Sequence, residues 1–186
     1  MLEFKDVCFN YGNGVPVLEH INIRIGPGEF IGLGGRNGCG KTTVTRLLMG
    51  LEKPVLGEIL HDGKVINDDD ASARSHYIGY VFQRPERQMF RSTVEDEVAY
   101  GPQQLGMSRD EAAAAVAEAL AMTGLSHLAK AYPPNLNRGE KQRVAIASAI
   151  AMHTSCIILD EPTSGQDSAD KKMLMELLTD LNKKGM

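Results

Sequence analysis

The chain has 186 residues, 20 lysines and arginines against 24 aspartates and glutamates, a formal net charge of -4, and 42% hydrophobic residues. That length fits one domain, or one core with an inserted subdomain, and can bury a substantial core. The mixed, mildly acidic charge lacks the basic footprint of a general nucleic-acid binder, so no nucleic-acid partner is expected. No apolar run approaches the length of a membrane span, and the opening "MLEFKDVCFN" has no signal-peptide architecture. If the protein serves a membrane, it docks on one. Cys8, Cys39 and Cys156 are widely spaced and odd in number, which points to reduced thiols in a cytosolic compartment.

In chain order, "LEFKDVCF" and "VLEHINIRI" alternate apolar with polar residues, the mark of half-exposed strands. "FIGLG" (30–34) is expected as a short buried strand ending in glycines, and "TTVTRLLMGL" as the helix after it. Asp62-Gly63 between two short apolar runs predicts a hairpin, because type I′ turns need positive φ. "YIGYVF" (77–82) is a further buried strand. From Arg84 to about Ile150 strand signals stop. Ser92…Glu95 and Ser108…Glu111 both have capping-box spacing, and "DEAAAAVAEALAMTGL" has high helix propensity. "CIILD" (156–160) returns to strand, and "SADKKMLMELLTDLNKKG" reads as an amphipathic helix ending at Gly185. The pattern is an α/β fold: a parallel-sheet core, an N-terminal antiparallel β portion and an inserted helical stretch.

The chemistry starts at "GRNGCGKT". Gly35, Arg36, Asn37, Gly38, Cys39, Gly40, Lys41, Thr42 and the following Thr43 form the candidate nucleotide-binding set, placed after a strand and before a helix. Glycines let the backbone wrap phosphates with N–H groups pointing inward, and the helix N-terminus adds positive potential. Lys41 is expected to reach the β- and γ-phosphates of ATP, and the Thr42 hydroxyl to ligate Mg²⁺. The plainer alternative is a glycine-rich turn with a surface lysine. "CIILDEPTSGQD" adds two carboxylates at the C-terminal end of a strand, where such sheets bind ligands. Asp160 suits a second Mg²⁺ ligand and Glu161 a base orienting the attacking water. A helix-capping acidic pair is the plainer alternative there.

These two motifs, "LNRGEKQRVAIA" between them, and "VFQRPERQ" resemble the nucleotide-binding domain of ATP-binding cassette (ABC) proteins. "VFQRPERQMFRSTVEDEVAYGPQQLGM" is most similar to the ATPase subunits of energy-coupling-factor importers. The resemblance covers essentially all 186 residues. It implies one P-loop (RecA-like) domain, with core 1–83 and 148–186 and a helical subdomain at 84–147. It also implies that Tyr11 stacks on adenine and that Gln83 contacts the magnesium and catalytic water. Residues from Gln83 to about Phe90 would couple to a transmembrane transporter subunit, placing the chain on the cytoplasmic face of the cell membrane.

In the family, two such subunits, identical or different, sandwich ATP, and the signature turn of one faces the γ-phosphate held by the other. The usual form is leucine-serine-glycine-glycine-glutamine. Here it reads Leu136-Asn137-Arg138-Gly139-Glu140, matching only at Leu136 and Gly139. Asn137 can offer a donor amide; Arg138 adds bulk and permanent charge; Glu140 adds a carboxylate. The leading expectation is an ATP-hydrolysing importer subunit. The alternatives are a weakly hydrolysing subunit of a heterodimer, encouraged by these departures, and a soluble non-transport ABC protein. The family continues into another strand and a switch histidine, whereas this sequence stops at Met186. The resemblance therefore implies that the C-terminal part of the family domain is missing, with a gap at the centre of the sheet and inefficient hydrolysis by these residues alone.

Overall fold

Apolar residues that recur at every second position build β1 (Leu2–Asn10), where Leu2, Phe4, Val7 and Phe9 are buried. The alternation skips at Asp6. There β1 carries a bulge: Phe4 faces Ile23 of β2 (Pro16–Ile25), but Val7 faces Ile21, so one extra residue is accommodated and Asp6 takes φ 54°. The computed structural model describes residues 1–12 and 14–186, which form two units, Met1–Ser75 and His76–Lys184.

In the first unit, β1 and β2 join β3 (Leu56–His61) and β4 (Lys64–Val65) in an antiparallel sheet of order β2-β1-β3-β4. The expected hairpin joins β3 to β4, with Asp62 at φ 48° and Gly63 at φ 79°, the two positive values a type I′ turn requires. Helix α1 (Lys41–Leu48) buries Val44, Leu47 and Leu48, and α2 (Ala71–Arg74) is a single turn capped by Asp70.

The second unit holds the parallel pair: β5 (Ile78–Val81) runs beside β6 (Cys156–Leu159) with Ile78 opposite Cys156 and Val81 opposite Leu159. Around it lie α3 (Val94–Gln104), α4 (Arg109–Met122), α5 (Arg138–Ala151) and α6 (Ser168–Lys183). Their apolar faces meet in one core that includes Val81, Val98, Leu120, Val144, Ile146 and Leu178. The architecture is α/β, as the sequence pattern implies.

Two local expectations are corrected. Residues 30–34 belong to neither sheet, and Phe30, Ile31 and Leu33 are exposed, by 53%, 45% and 44%. An apolar run becomes a strand only when a neighbour completes its ladder, and among the described residues none does. The capping box expected at Ser92…Glu95 is displaced by one residue. Thr93 caps α3 by accepting from the Asp96 amide, because the Glu95 amide instead donates to Ala129 O at 2.9 Å and its carboxylate pairs with Lys130. The second box, Ser108 with Glu111, forms as expected.

Candidate nucleotide and carboxylate sites

In the first unit, the segment from Gly35 to Thr43 folds as a tight turn running into α1. Gly40 is its pivot. It adopts φ 95°, and a Cβ there would lie 2.7 Å from Leu18 Cδ2, so only glycine allows the turn to meet the sheet this closely. Lys41 folds back over the loop, its Nζ donating to Gly35 O and Arg36 O at 2.9 Å each. The Arg36 carbonyl also accepts from the Cys39 amide, and the exposed Cys39 thiol lies 3.9 Å from Lys41 Nζ. A positive group held over backbone carbonyls in a glycine turn can transfer to phosphate oxygens, which carry full charge.

Asn37 and Gly38 form the exposed crest of the turn, and Thr42 stands exposed in the first turn of α1. Thr43 is buried beneath it. Its hydroxyl meets the Tyr11 hydroxyl at 3.0 Å, and Tyr11 packs edge-on against Phe9 with ring centroids 4.8 Å apart. The Tyr11 ring is thus tethered to the loop helix while remaining 52% exposed, free to stack on a flat ligand.

In the second unit, the ladder that pairs β5 with β6 extends one residue further, the Asp160 amide donating to Val81 O at 3.0 Å. This aims Asp160 and Glu161 from the strand's C-terminal end. The Tyr80 hydroxyl donates to Asp160 Oδ2 at 3.4 Å. Gln83 Nε2 donates to Glu161 Oε2 at 2.7 Å. Glu161 itself sits at φ 47°, a left-handed conformation that costs a non-glycine residue on the order of 1–3 kcal/mol and that clusters at functional positions.

The altered turn is a helix start. Asn137 Oδ1 accepts from the Glu140 amide and Glu140 Oε2 accepts from the Asn137 amide, both at 2.8 Å, so the pair closes a capping box on α5. Gly139 is buried, and a Cβ there would lie 2.7 Å from Asp170 Oδ2 in the first turn of α6. Arg138 turns toward the loop after Glu161, its Nη2 donating to Ser164 O at 2.6 Å. Beside it, Gln83, Arg84, Glu86, Arg138, Lys141 and Ser164 line a cavity of about 490 Å³. Sequence reasoning missed the Arg138–Ser164 bond, since the partners are 26 positions apart. Tyr80 carried no local signal either.

Residues 18–164 match the family model described as ABC transporter. The chain is 42% identical over 188 residues to the energy-coupling factor transporter ATP-binding protein EcfA of Methanocaldococcus jannaschii, spanning all of this chain and 67% of that one. Among solved structures, cbiO1 from Clostridium perfringens, described as part of the transporter complex cbiONQ, superposes with a TM-score of 0.90 at 36% identity. That match covers 98% of this chain and 74% of the other. A dimeric ATP-binding cassette, MJ0796, bound to ADP and Pi superposes with a TM-score of 0.85 at 32% identity, covering 99% of this chain and 84% of that one. The chain spans between 32% and 68% of the length of the first curated relatives it matches.

Proposed function

The chain belongs to the ABC transporter family, and from that membership we propose that it binds and hydrolyses ATP to power import of a small solute, of vitamin or metal-ion type, through a membrane partner. The observation that carries hydrolysis beyond binding is the 2.7 Å bond from Gln83 to Glu161, which orients a carboxylate at the end of β6. In this reading Lys41 exchanges its two carbonyls for β- and γ-phosphate oxygens, while the N-terminus of α1 adds positive potential. Tyr11 stacks on the adenine. Glu161 takes the proton of the water that attacks the γ-phosphorus, with Gln83 fixing its orientation, and ADP leaves.

By family membership the residues that would hold Mg²⁺ are Thr42, through its hydroxyl, and Asp160, through its carboxylate, each a hard oxygen ligand. When bound, the cation neutralises charge on the phosphate oxygens.

Partner docking is assigned to the segment after Gln83. Phe90 is 62% exposed, and the Arg91 guanidinium lies 5.1 Å from its ring and 4.7 Å from that of Tyr100. The buried Glu97 carboxylate accepts the Phe90 and Arg91 amides at 2.9 and 2.8 Å, so this surface is held in one shape. No helix among the described residues is long and apolar enough to cross a membrane. Family membership is the ground on which the proposal places the chain on the cytoplasmic face, against a transmembrane subunit and a second ATPase subunit, identical or not. A second reading, a weakly hydrolysing member of a heterodimer, is favoured by one observation: the turn at 137–140 spends Asn137 Oδ1 and the Glu140 carboxylate on its own helix.

The test is a pair of variants. Lys41→Ala is expected to lose about 1.5–3 kcal/mol of ATP binding, tenfold or more, by calorimetry. Glu161→Gln is expected to bind ATP normally and to turn over roughly 100-fold more slowly or worse. Normal turnover in Glu161→Gln removes that residue from the base role, and purification without any membrane protein removes the importer.

A further inference from the structure

We propose that Arg138, which stands where the usual signature has a glycine, is a positioning residue for Glu161 of its own chain, acting through the Ser164–Gly165 turn. The inference rests on the hydrolytic role given to Glu161 above. The chain leaves β6 at Leu159, passes Glu161 at φ 47°, and closes a turn in which the Ser164 amide donates to Glu161 O at 3.0 Å. Ser164 therefore touches Glu161 through its amide and Arg138 through its carbonyl. The second contact is short and charge-assisted, 2.6 Å from Nη2.

The fit is specific on the other side as well. Gly165 has φ 68°, and a Cβ added to it would fall within the Arg138 guanidinium, so the guanidinium fills the space a side chain would take. Gly139, next to Arg138, packs its backbone closely on Asp170 as well, a Cβ there lying 2.7 Å from Asp170 Oδ2. The start of α5 and the loop from Glu161 to the start of α6 are thus joined at two adjacent residues. Any displacement of the turn at 137–140 pulls on Ser164 O, and through the Ser164 amide on the backbone of Glu161. A glycine at 138 has no side chain to make this link.

The alternative is that Arg138 merely satisfies a surface carbonyl. The two are separated by Arg138→Ala, Arg138→Lys, Gly165→Ala and the double variant Arg138→Ala/Gly165→Ala, made in the full protein in the assembly in which it purifies. Two readouts are taken. Steady-state ATPase is expected to show kcat at least tenfold lower in Arg138→Ala with KM for MgATP within twofold, and partial recovery in Arg138→Lys. Gly165→Ala is expected to lower kcat in the presence of Arg138 and to have a smaller added effect in Arg138→Ala, where only the strain of an alanine at φ 68° is left. Amide exchange by mass spectrometry is expected to rise in the peptide covering 161–167 in Arg138→Ala, with or without nucleotide. A kcat within twofold of the parent overturns the proposal, as does unchanged exchange in 161–167, or full additivity of the two substitutions. A parent protein with no ATPase at all overturns the hydrolytic reading instead, and the exchange experiment still decides whether Arg138 holds the turn.

Discussion

Cys39 lies exposed inside the glycine turn proposed to hold the phosphates, its sulfur 3.9 Å from the Lys41 ammonium. The other two thiols are less available. Cys8 is half-buried and accepts the His20 amide through its sulfur at 3.2 Å, while burial pushes the Cys156 thiol above its ordinary pKa. A thiolate is the reacting species, so a raised pKa means a smaller reactive fraction at neutral pH and labelling that grows only as the pH is raised. We expect maleimide at neutral pH to modify Cys39 first, and ATP to protect it. Peptide mapping by mass spectrometry checks both; Cys8 labelled ahead of Cys39, or no protection by ATP, contradicts the placement of nucleotide over this turn. That Cys39 falls within the turn was legible from the loop pattern. That the residue stays exposed while its sulfur sits against Gly35 was not, because both depend on how the turn folds over Lys41.

Helix α1 follows that loop and has only eight residues, too few for a helix to hold itself in water. Arg74 holds its end. The guanidinium is fully buried and donates to Leu47 O at 2.5 Å, Leu48 O at 3.0 Å, Asp69 O at 3.1 Å and also Ile66 O. A cation on the last carbonyls of a helix satisfies acceptors that have no partner within the helix and opposes the negative end of its dipole. Arg74→Met keeps the stem and strips every donor, leaving buried carbonyls that each cost about 1–3 kcal/mol. We expect a loss of at least about 3 kcal/mol in urea unfolding, with weaker ATP binding because the loop loses its support. A loss under 1 kcal/mol would show that water or neighbouring donors replace it. Helix α4 offers a pH test. Hydrogen bonds from Ser108, its side chain first and its backbone amide second, hold the exposed Glu111 carboxyl below its ordinary value of 4.5. A depressed pKa contributes stability that is present above the unfolded value and is lost as the pH falls through the folded one. Helical circular dichroism is therefore expected to decline more steeply below about pH 4.5 in the parent than in Glu111→Gln; parallel acid limbs would dismiss the cap.

At the scale of the whole molecule, the notable element is the one outside both sheets. Residues 30–34 lead directly into Gly35, yet among the described residues they pair with no strand, and three of their apolar side chains are exposed. Backbone amides without a hydrogen-bonded neighbour exchange readily with solvent, whereas those of β1, paired on both sides, open only with larger unfolding. We expect amides at 30–34 to exchange at least about a hundredfold faster than those of Glu3 and Phe4, and ATP to slow them, since fixing Gly35 fixes the chain before it. Protection equal to that of β1 would show that the run is paired in solution.

The sequence by itself determined what is local. The glycine turn before α1, the Asp62-Gly63 hairpin, the Ser108 capping box and the acidic pair after β6 each depend on residues within a few positions of one another, so spacing alone carries them. It also carried the family, because several such motifs stand in one order. Tertiary structure decided everything that depends on residues far apart in the chain. Glu95 was drawn away from a capping box by Ala129 and Lys130, moving the helix start to Thr93. Arg74 became a helix cap for residues 26 and 27 positions before it. Arg138 found Ser164, 26 positions on, and residues 30–34, strand-like in composition, found no ladder partner among the described residues. The physical reason is common to all four. A hydrogen bond between distant residues, or the lack of one, is set by which backbones the fold brings within 3 Å, and local composition leaves no trace of that distance.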